Sequence, residues 1–148
     1  MMPRDLGPIK LERDELARLF EGRTRFVERL AVYEYPLERA SALLRELPEE
    51  ELLETLNAHP RIGARRLSAL SAREQGGDED PVVLEELAQL NRTYEEKFGF
   101  RFVVFVDRRL KAEIVRVLRA RLARTREEEF ETAIDELVAI AEDRYRRQ

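Results

Sequence analysis

The chain has 148 residues and a formal net charge of −4, with 43% hydrophobic and 39% charged residues. This length fits one domain over residues 1–148, and the hydrophobic share is large enough for a core, which excludes a disordered chain. The lack of cysteine excludes a disulfide framework, thiolate catalysis and cysteine-ligated zinc. Arginines and glutamates are interleaved without a basic block, and no stretch approaches transmembrane length. We therefore expect a cytoplasmic protein that binds neither nucleic acid nor membrane.

Helix-forming residues follow three prolines, Pro36, Pro48 and Pro81, with acidic residues in the turn after each. Proline early in a helix and acidic residues beside the positive helix end are typical of helix starts. The sequence therefore predicts an all-α fold, a single compact multi-helix domain. We expect helices near residues 12–21, 23–31, 36–46, 48–58, 62–69, 81–97, 109–124 and 126–146, and a short helical turn from Ser71.

His59 is the only histidine of the chain, and it stands between an apolar helix and Pro60. Proline disfavours helical geometry at the preceding residue, so we expect that helix to end near His59. The imidazole would lie beside a helix carboxyl end, where the dipole favours its protonated form. Two interpretations stay open: a capping histidine without a chemical role, and a catalytic histidine.

Metal and nucleotide cofactors have little support in the sequence. One histidine without cysteine would leave a metal site made of carboxylates alone, and no calcium-loop spacing is present. The glycines match no phosphate-binding fingerprint. We therefore expect neither a metal nor a nucleotide cofactor.

Ser71-Ala72-Arg73-Glu74 has the spacing of a helix capping box. Such a box normally precedes an apolar run, whereas Gln75-Gly76-Gly77 follows here. Glu74 and Gln75 before a Gly-Gly break are therefore equally consistent with the wall of a pocket.

An aromatic and β-branched segment over Phe98–Val106 interrupts the helical pattern. Such residues are typical of a buried strand, but no other part of the chain is predicted to pair with it. We expect an extended segment that crosses a helical core. Its buried backbone groups would need partners, and a ligand is one possible partner.

The last predicted helix carries one clear apolar stripe. Phe130, Ile134, Leu137 and Ala141 follow one another at spacings of four, three and four, and Arg144 is the next position on that face. Either the guanidinium points toward the interior or a pocket edge, or it extends past the helix end into solvent.

Taken in order, four motifs resemble the 2-oxo-4-hydroxy-4-carboxy-5-ureidoimidazoline (OHCU) decarboxylase family. The resemblance extends from the Leu16–Phe20 helix to Arg144. The motifs are Asn57-Ala58-His59-Pro60-Arg61-Ile62-Gly63, Ser71-Ala72-Arg73-Glu74-Gln75-Gly76-Gly77, Leu90-Asn91-Arg92-Thr93-Tyr94-Glu95-Glu96-Lys97-Phe98-Gly99-Phe100-Arg101-Phe102 and Ile140-Ala141-Glu142-Asp143-Arg144.

The resemblance implies an all-helical, cofactor-free enzyme with a defined set of site residues. His59 would be catalytic, with Glu74 orienting it or relaying a proton. Ser71, Gln75 and Arg144 would bind substrate through their side chains. Backbone hydrogen bonds to the substrate ring would come from the segment that includes Phe100, Phe102 and Val103.

The same resemblance implies decarboxylation of a small ureidoimidazoline to (S)-allantoin. A homodimer is implied too, with urate oxidase and hydroxyisourate hydrolase as pathway neighbours. One departure is Arg101, because a proline often follows Phe-Gly-Phe in this family. Alternatives are an inactive helical binding domain of the same fold, or a decarboxylase of a related ureido or hydantoin acid.

Overall fold

The computed structural model describes residue 8 and residues 10–63 and 80–148. These residues contain helices and no strand, so the predicted all-α class is confirmed. The helices are α1 (Arg13–Leu19), α2 (Arg25–Leu30), α3 (Pro36–Glu46), α4 (Glu49–Asn57), α5 (Pro81–Phe98), α6 (Lys111–Leu122) and α7 (Arg126–Arg146).

The predicted bounds of α3 and α7 coincide with the observed ones, and the other five helices lie close to their predicted ranges. A helix was also expected over 62–69. Residues 62 and 63 instead form a turn, while 64–69 and the turn expected from Ser71 lie outside the described residues.

Local chemistry explains where the helices begin. Pro36 and Pro81 are the first residues of α3 and α5, as the sequence predicts, whereas Pro48 caps α4 from one position earlier. Acidic residues in the first turn are confirmed for α3 and α4, but the expectation was wrong for α5, whose first turn has none. The Asp80 side chain accepts from the Val82 N–H at 3.0 Å, which satisfies one of the amides that a helix start leaves open.

The chain divides into two compact units, Met1–Ala58 with Ile134–Gln148, and His59–Ala133. Helix α7 contributes residues to both. The single domain over 1–148 stays a prediction. None of the helices in the described ranges is long and apolar enough to cross a membrane.

The first unit has an apolar core flanked by ion pairs between α2 and α4. The rings of Phe20 and Phe26 meet edge to face with centroids 5.0 Å apart, and both side chains are buried. Arg29 makes a bidentate bond with Glu51, at 2.7 and 2.9 Å. This pairing holds the pKa of the Glu51 carboxyl below its usual range, chiefly through the hydrogen bonds from Arg29.

The second unit is built around aromatic rings that α5 and the following segment bring together. Phe100 stacks on Phe130 at 4.6 Å, and Tyr94 meets Phe102 edge to face at 5.3 Å. Helix α5 ends because Gly99 adopts a left-handed conformation, with φ of 81°, that caps its last turn.

The segment after Gly99 is neither helix nor strand up to Val106, which agrees with the predicted interruption. A tight turn then leads toward α6. The Arg109 N–H donates to the Val106 carbonyl at 3.0 Å, and the two central residues, Asp107 and Arg108, have φ of 48° and 64°. Two positive φ values at the centre are the pattern of a type I′ turn.

Candidate active site

The residues predicted to act on a substrate fall into three groups. His59, Phe100, Phe102 and Val103 belong to the second unit, and Arg144 belongs to the first. The remaining three, Ser71, Glu74 and Gln75, lie outside the described residues, so their predicted roles stay predictions.

His59 follows the end of α4, as the sequence predicts. The helix ends at Asn57 with Ala58 as its cap, and His59 and Pro60 come next. Only 5% of His59 is exposed. A buried imidazole is shielded from bulk water, which strengthens its electrostatic interactions with any bound molecule.

The loop that carries His59 is held by side chains from α5. Arg61 forms a bidentate ion pair with Glu95, at 2.7 and 2.9 Å. The amide of Asn91, itself buried, donates to the Ile62 carbonyl at 3.2 Å. Non-helical backbone fixed in this way is suited to present a side chain in one orientation.

Arg101 also contacts this loop. Its Nη1 donates to the backbone carbonyl of His59 at 3.1 Å. The sequence singled out Arg101 only as a departure from the family pattern, and the contact was not predicted. No periodicity relates two positions 42 residues apart.

The rings of the aromatic segment are packed in the protein interior. Phe100 and Phe102 are each only 2% exposed, and their rings pack in the aromatic cluster. The Val103 carbonyl accepts a hydrogen bond from Arg121 Nη1 at 2.7 Å. One of the backbone groups expected to need a partner is therefore bonded to protein.

Arg121 belongs to a buried polar cluster that the sequence analysis missed. Three side chains converge on the Glu129 carboxylate: the Tyr94 hydroxyl donates at 2.5 Å, Arg121 Nε at 2.8 Å and Arg124 Nη1 at 3.1 Å. Glu129 has no exposed surface. Burial, and next the hydrogen bond to Glu129, raise the pKa of Tyr94 far above its usual range.

One sequence signal could have revealed Arg121. Lys111, Ile114, Leu118 and Arg121 follow at spacings of three, four and three along α6, so Arg121 ends a stripe as Arg144 does on α7. A charged residue on an apolar face is expected to point inward and to need a partner.

Arg144 points into the first unit, and the alternative of a solvent-exposed guanidinium was wrong. Its side chain is 2% exposed and pairs with Glu21 at 2.9 Å. Its Nη1 donates to the carbonyls of Arg18 and Leu19, at 3.0 and 3.4 Å. These contacts satisfy acceptors at the carboxyl end of α1, so Arg144 has a structural role whether or not it also binds substrate.

The first unit also contains an open polar cavity of about 450 Å³. The predicted site residues that the structure describes, His59, Phe100, Phe102, Val103 and Arg144, are not among those that line it. Two of its arginines are already paired, Arg13 with Glu28 at 2.9 Å and Arg23 with Asp14. Among the described residues, no group of three His, Asp or Glu side chains is placed to hold a metal ion.

These observations define an all-helical protein with one buried histidine in a braced loop. Comparison with known proteins places it more narrowly: the chain belongs to the OHCU decarboxylase family, whose model matches residues 12–146.

Two curated relatives illustrate the similarity. The uric acid degradation bifunctional protein PucL of Bacillus subtilis (strain 168) is 34% identical over 140 residues, covering 86% of this chain and 28% of that protein. A 2-oxo-4-hydroxy-4-carboxy-5-ureidoimidazoline decarboxylase of Haloferax volcanii is 36% identical over 98 residues, covering 63% of this chain and 58% of that protein. The chain thus spans less than two thirds of the length of both relatives.

A solved structure supports the fold. The crystal structure of an OHCU decarboxylase in the presence of (S)-allantoin superposes with a TM-score of 0.74 and 24% sequence identity. It covers 90% of this chain and 96% of the other.

Proposed function

We propose that this protein is a carboxy-lyase that converts 2-oxo-4-hydroxy-4-carboxy-5-ureidoimidazoline to (S)-allantoin without a cofactor. The observation that carries the proposal is the family match over residues 12–146, which includes His59 and Arg144. The solved OHCU decarboxylase of the same fold was crystallised in the presence of (S)-allantoin, the product that we propose here.

The proposed decarboxylation does not require a prosthetic group. The substrate carries a hydroxyl and a carboxylate on one ring carbon, and an adjacent C=N accepts the electrons released when carbon dioxide leaves. The substrate therefore supplies the electron sink that a cofactor provides in other decarboxylases. The protein must orient the carboxylate, stabilise charge on the ring and deliver a proton to one face.

We assign the proton transfer to His59. Histidine is suited to this task because its ordinary pKa lies near neutrality. The burial of His59 and the braced loop around it support the assignment, since a general acid or base must be held within hydrogen-bond reach of its target. Glu74 would orient the imidazole or relay the proton, and Ser71 and Gln75 would bind the ureido and ring amide groups.

Arg144 is proposed to anchor a substrate oxygen by charge-assisted hydrogen bonds. Arg144 also bonds to Glu21 and to two carbonyls of α1. An experiment must therefore distinguish substrate binding from a structural role. The separation comes from Arg144→Lys, which keeps the charge but loses the planar fork. A rise in KM without a matching fall in thermal stability supports substrate binding, whereas the reverse supports a structural role alone.

The deciding experiment follows allantoin formation by circular dichroism. Urate is converted in place by urate oxidase and hydroxyisourate hydrolase, and then wild-type protein, His59→Ala or the exposed control Glu96→Ala is added. We expect rapid formation of one allantoin enantiomer with wild type and control. His59→Ala should be slower by a factor on the order of 10²–10⁴, the usual worth of a general acid–base residue.

Two outcomes would contradict the proposal. Full activity of His59→Ala would remove His59 from catalysis while leaving the reaction intact. If wild type gave only the slow, racemic background of allantoin formation, the proposed substrate would be wrong. Related ureido and hydantoin acids would then be tested. In that case an inactive binding domain becomes the competing explanation.

We place the reaction in uric acid degradation, which the name of the Bacillus subtilis relative states. A homodimer, a cytoplasmic location, and work beside urate oxidase and hydroxyisourate hydrolase stay predictions. Light scattering on the purified protein would test the dimer.

A further inference from the structure

We propose that Arg101 is a positioning residue for His59. This proposal rests on the proposed catalytic role of His59 and adds a residue to it. The observation is the hydrogen bond of 3.1 Å from Arg101 Nη1 to the His59 carbonyl. It joins the aromatic segment, from which backbone contacts to the substrate are proposed, to the histidine proposed to move the proton.

The bond acts at a point where the loop needs restraint. The His59 carbonyl belongs to the peptide that links His59 to Pro60, and its direction is set by the ψ angle of His59. The ring of Pro60 already restricts the backbone of the preceding residue to extended conformations. A donor that fixes the carbonyl within that range fixes the direction of the Cα–Cβ bond of His59, from which the imidazole extends.

Two further restraints on this loop act after the proline. Arg61 pairs with Glu95, and Asn91 bonds to the Ile62 carbonyl, so both restrain residues downstream of Pro60. Arg101 restrains the peptide of His59 itself. Loss of Arg101 should therefore loosen the histidine while the rest of the loop stays attached to α5.

The geometry also predicts how substitutions at Arg101 will rank. Nη1 makes the bond to the His59 carbonyl, and a lysine ammonium is also a charged donor that can make one such bond. Lysine should therefore restore part of the function, in contrast to sites of bidentate recognition. Methionine keeps most of the aliphatic stem but has no donor, and it should show the full loss.

Arg109 provides a matched control. It lies at the end of the same non-helical stretch and also donates to backbone carbonyls, with Nε 3.0 Å from Val106 O and Nη2 2.6 Å from Phe105 O. These bonds are local and involve no part of the His59 loop. Arg109→Met thus removes an equivalent arginine from the same segment without touching the proposed contact.

The experiment measures kcat and KM for wild type, Arg101→Met, Arg101→Lys and Arg109→Met. We expect Arg101→Met to lower kcat about 10–100-fold, the scale of a misplaced catalytic group, with KM changed less than about twofold. Arg101→Lys should fall between Arg101→Met and wild type, and Arg109→Met should match wild type. Equal kcat for Arg101→Met and wild type would overturn the proposal.

A second readout needs no turnover. His59 is the only histidine of the chain, so the imidazole carbon-bound protons in an NMR spectrum report on it alone. Arg101→Met should shift or broaden these signals, whereas Arg109→Met should leave them unchanged. Unchanged signals in a folded Arg101→Met would overturn the positioning role. A fully active His59→Ala would instead overturn the catalytic role of His59, a distinct failure.

Discussion

Replacement of Glu129 by glutamine tests the buried cluster on which the second unit depends. The carboxylate accepts from Tyr94, Arg121 and Arg124 at 2.5–3.1 Å and has no exposed surface. Glutamine has almost the same shape, so the substitution removes the charge and one acceptor without opening a cavity. It also introduces an NH₂ group among three donors.

The expected loss follows from the burial of the partner. Arg121 is only 5% exposed, and without Glu129 it would keep the Val103 carbonyl and the face of Phe102, 4.6 Å from its guanidinium carbon. Removing one member of a buried ion pair costs about 3–5 kcal/mol because the other charge stays buried. At roughly 2–4 °C per kcal/mol for a chain of this size, the unfolding midpoint should fall by about 6–20 °C.

The assay is thermal and urea unfolding followed by circular dichroism, with Glu127→Gln as the control. Glu127 is exposed and lies two positions earlier on the same helix, so its loss should cost no more than about 0.5 kcal/mol. A cost below about 1 kcal/mol for Glu129→Gln would refute the reasoning, because it would mean that Arg121 does not need the carboxylate.

Three further predictions follow from pKa shifts and backbone strain. Because Tyr94 has a raised pKa, its contribution to stability is present below the unfolded pKa of about 10 and is lost as pH rises through the folded value. Tyr94 should therefore ionise only when the protein unfolds. In an alkaline absorbance titration, wild type and Tyr94→Phe should differ in tyrosinate absorbance only from the unfolding transition upward. A difference between the two proteins well below that transition would contradict this. Because Arg29 lowers the pKa of Glu51, the contribution of this ion pair to stability is present above about pH 4.3 and is lost as pH falls. Glu51→Gln should flatten the acid dependence of the unfolding free energy, and a slope equal to wild type would count against the pairing. At the left-handed Arg108, glycine should give a protein at least about 1 kcal/mol more stable than valine, and equal unfolding midpoints would show that the turn is not strained.

Helical periodicity predicted most of the fold, because an apolar face follows from the order of residues. For Arg144, which continues a stripe of apolar positions on α7, the same reasoning left an inward and a solvent-exposed guanidinium open, and the structure has the inward one. Periodicity did not predict the partners of Arg144. They lie on and just after α1, and Glu21 reaches the guanidinium from a left-handed backbone, with φ of 64°, which no local pattern requires.

The candidate site was predicted in part. The end of α4 before His59 followed from the restriction that Pro60 places on its neighbour. The bond from Arg101 to His59 did not follow from the sequence, because it joins two segments whose approach depends on how the second unit packs. The pairing of Arg121 with Glu129 was missed for the same reason, although the apolar stripe on α6 could have indicated that Arg121 points inward.

The bond between Arg121 and the Val103 carbonyl also orients a second backbone group. A trans peptide is a rigid plane in which the C=O of one residue and the N–H of the next point in opposite directions. When Arg121 fixes the Val103 carbonyl, it also aims the N–H of Val104 the opposite way. The Val104 N–H is a main-chain donor, so no substitution of its own side chain alters it directly. Its direction nevertheless depends on Arg121, which lies on α6. Changes at position 121 are therefore a means of redirecting a backbone donor of this segment while the segment's own sequence stays the same.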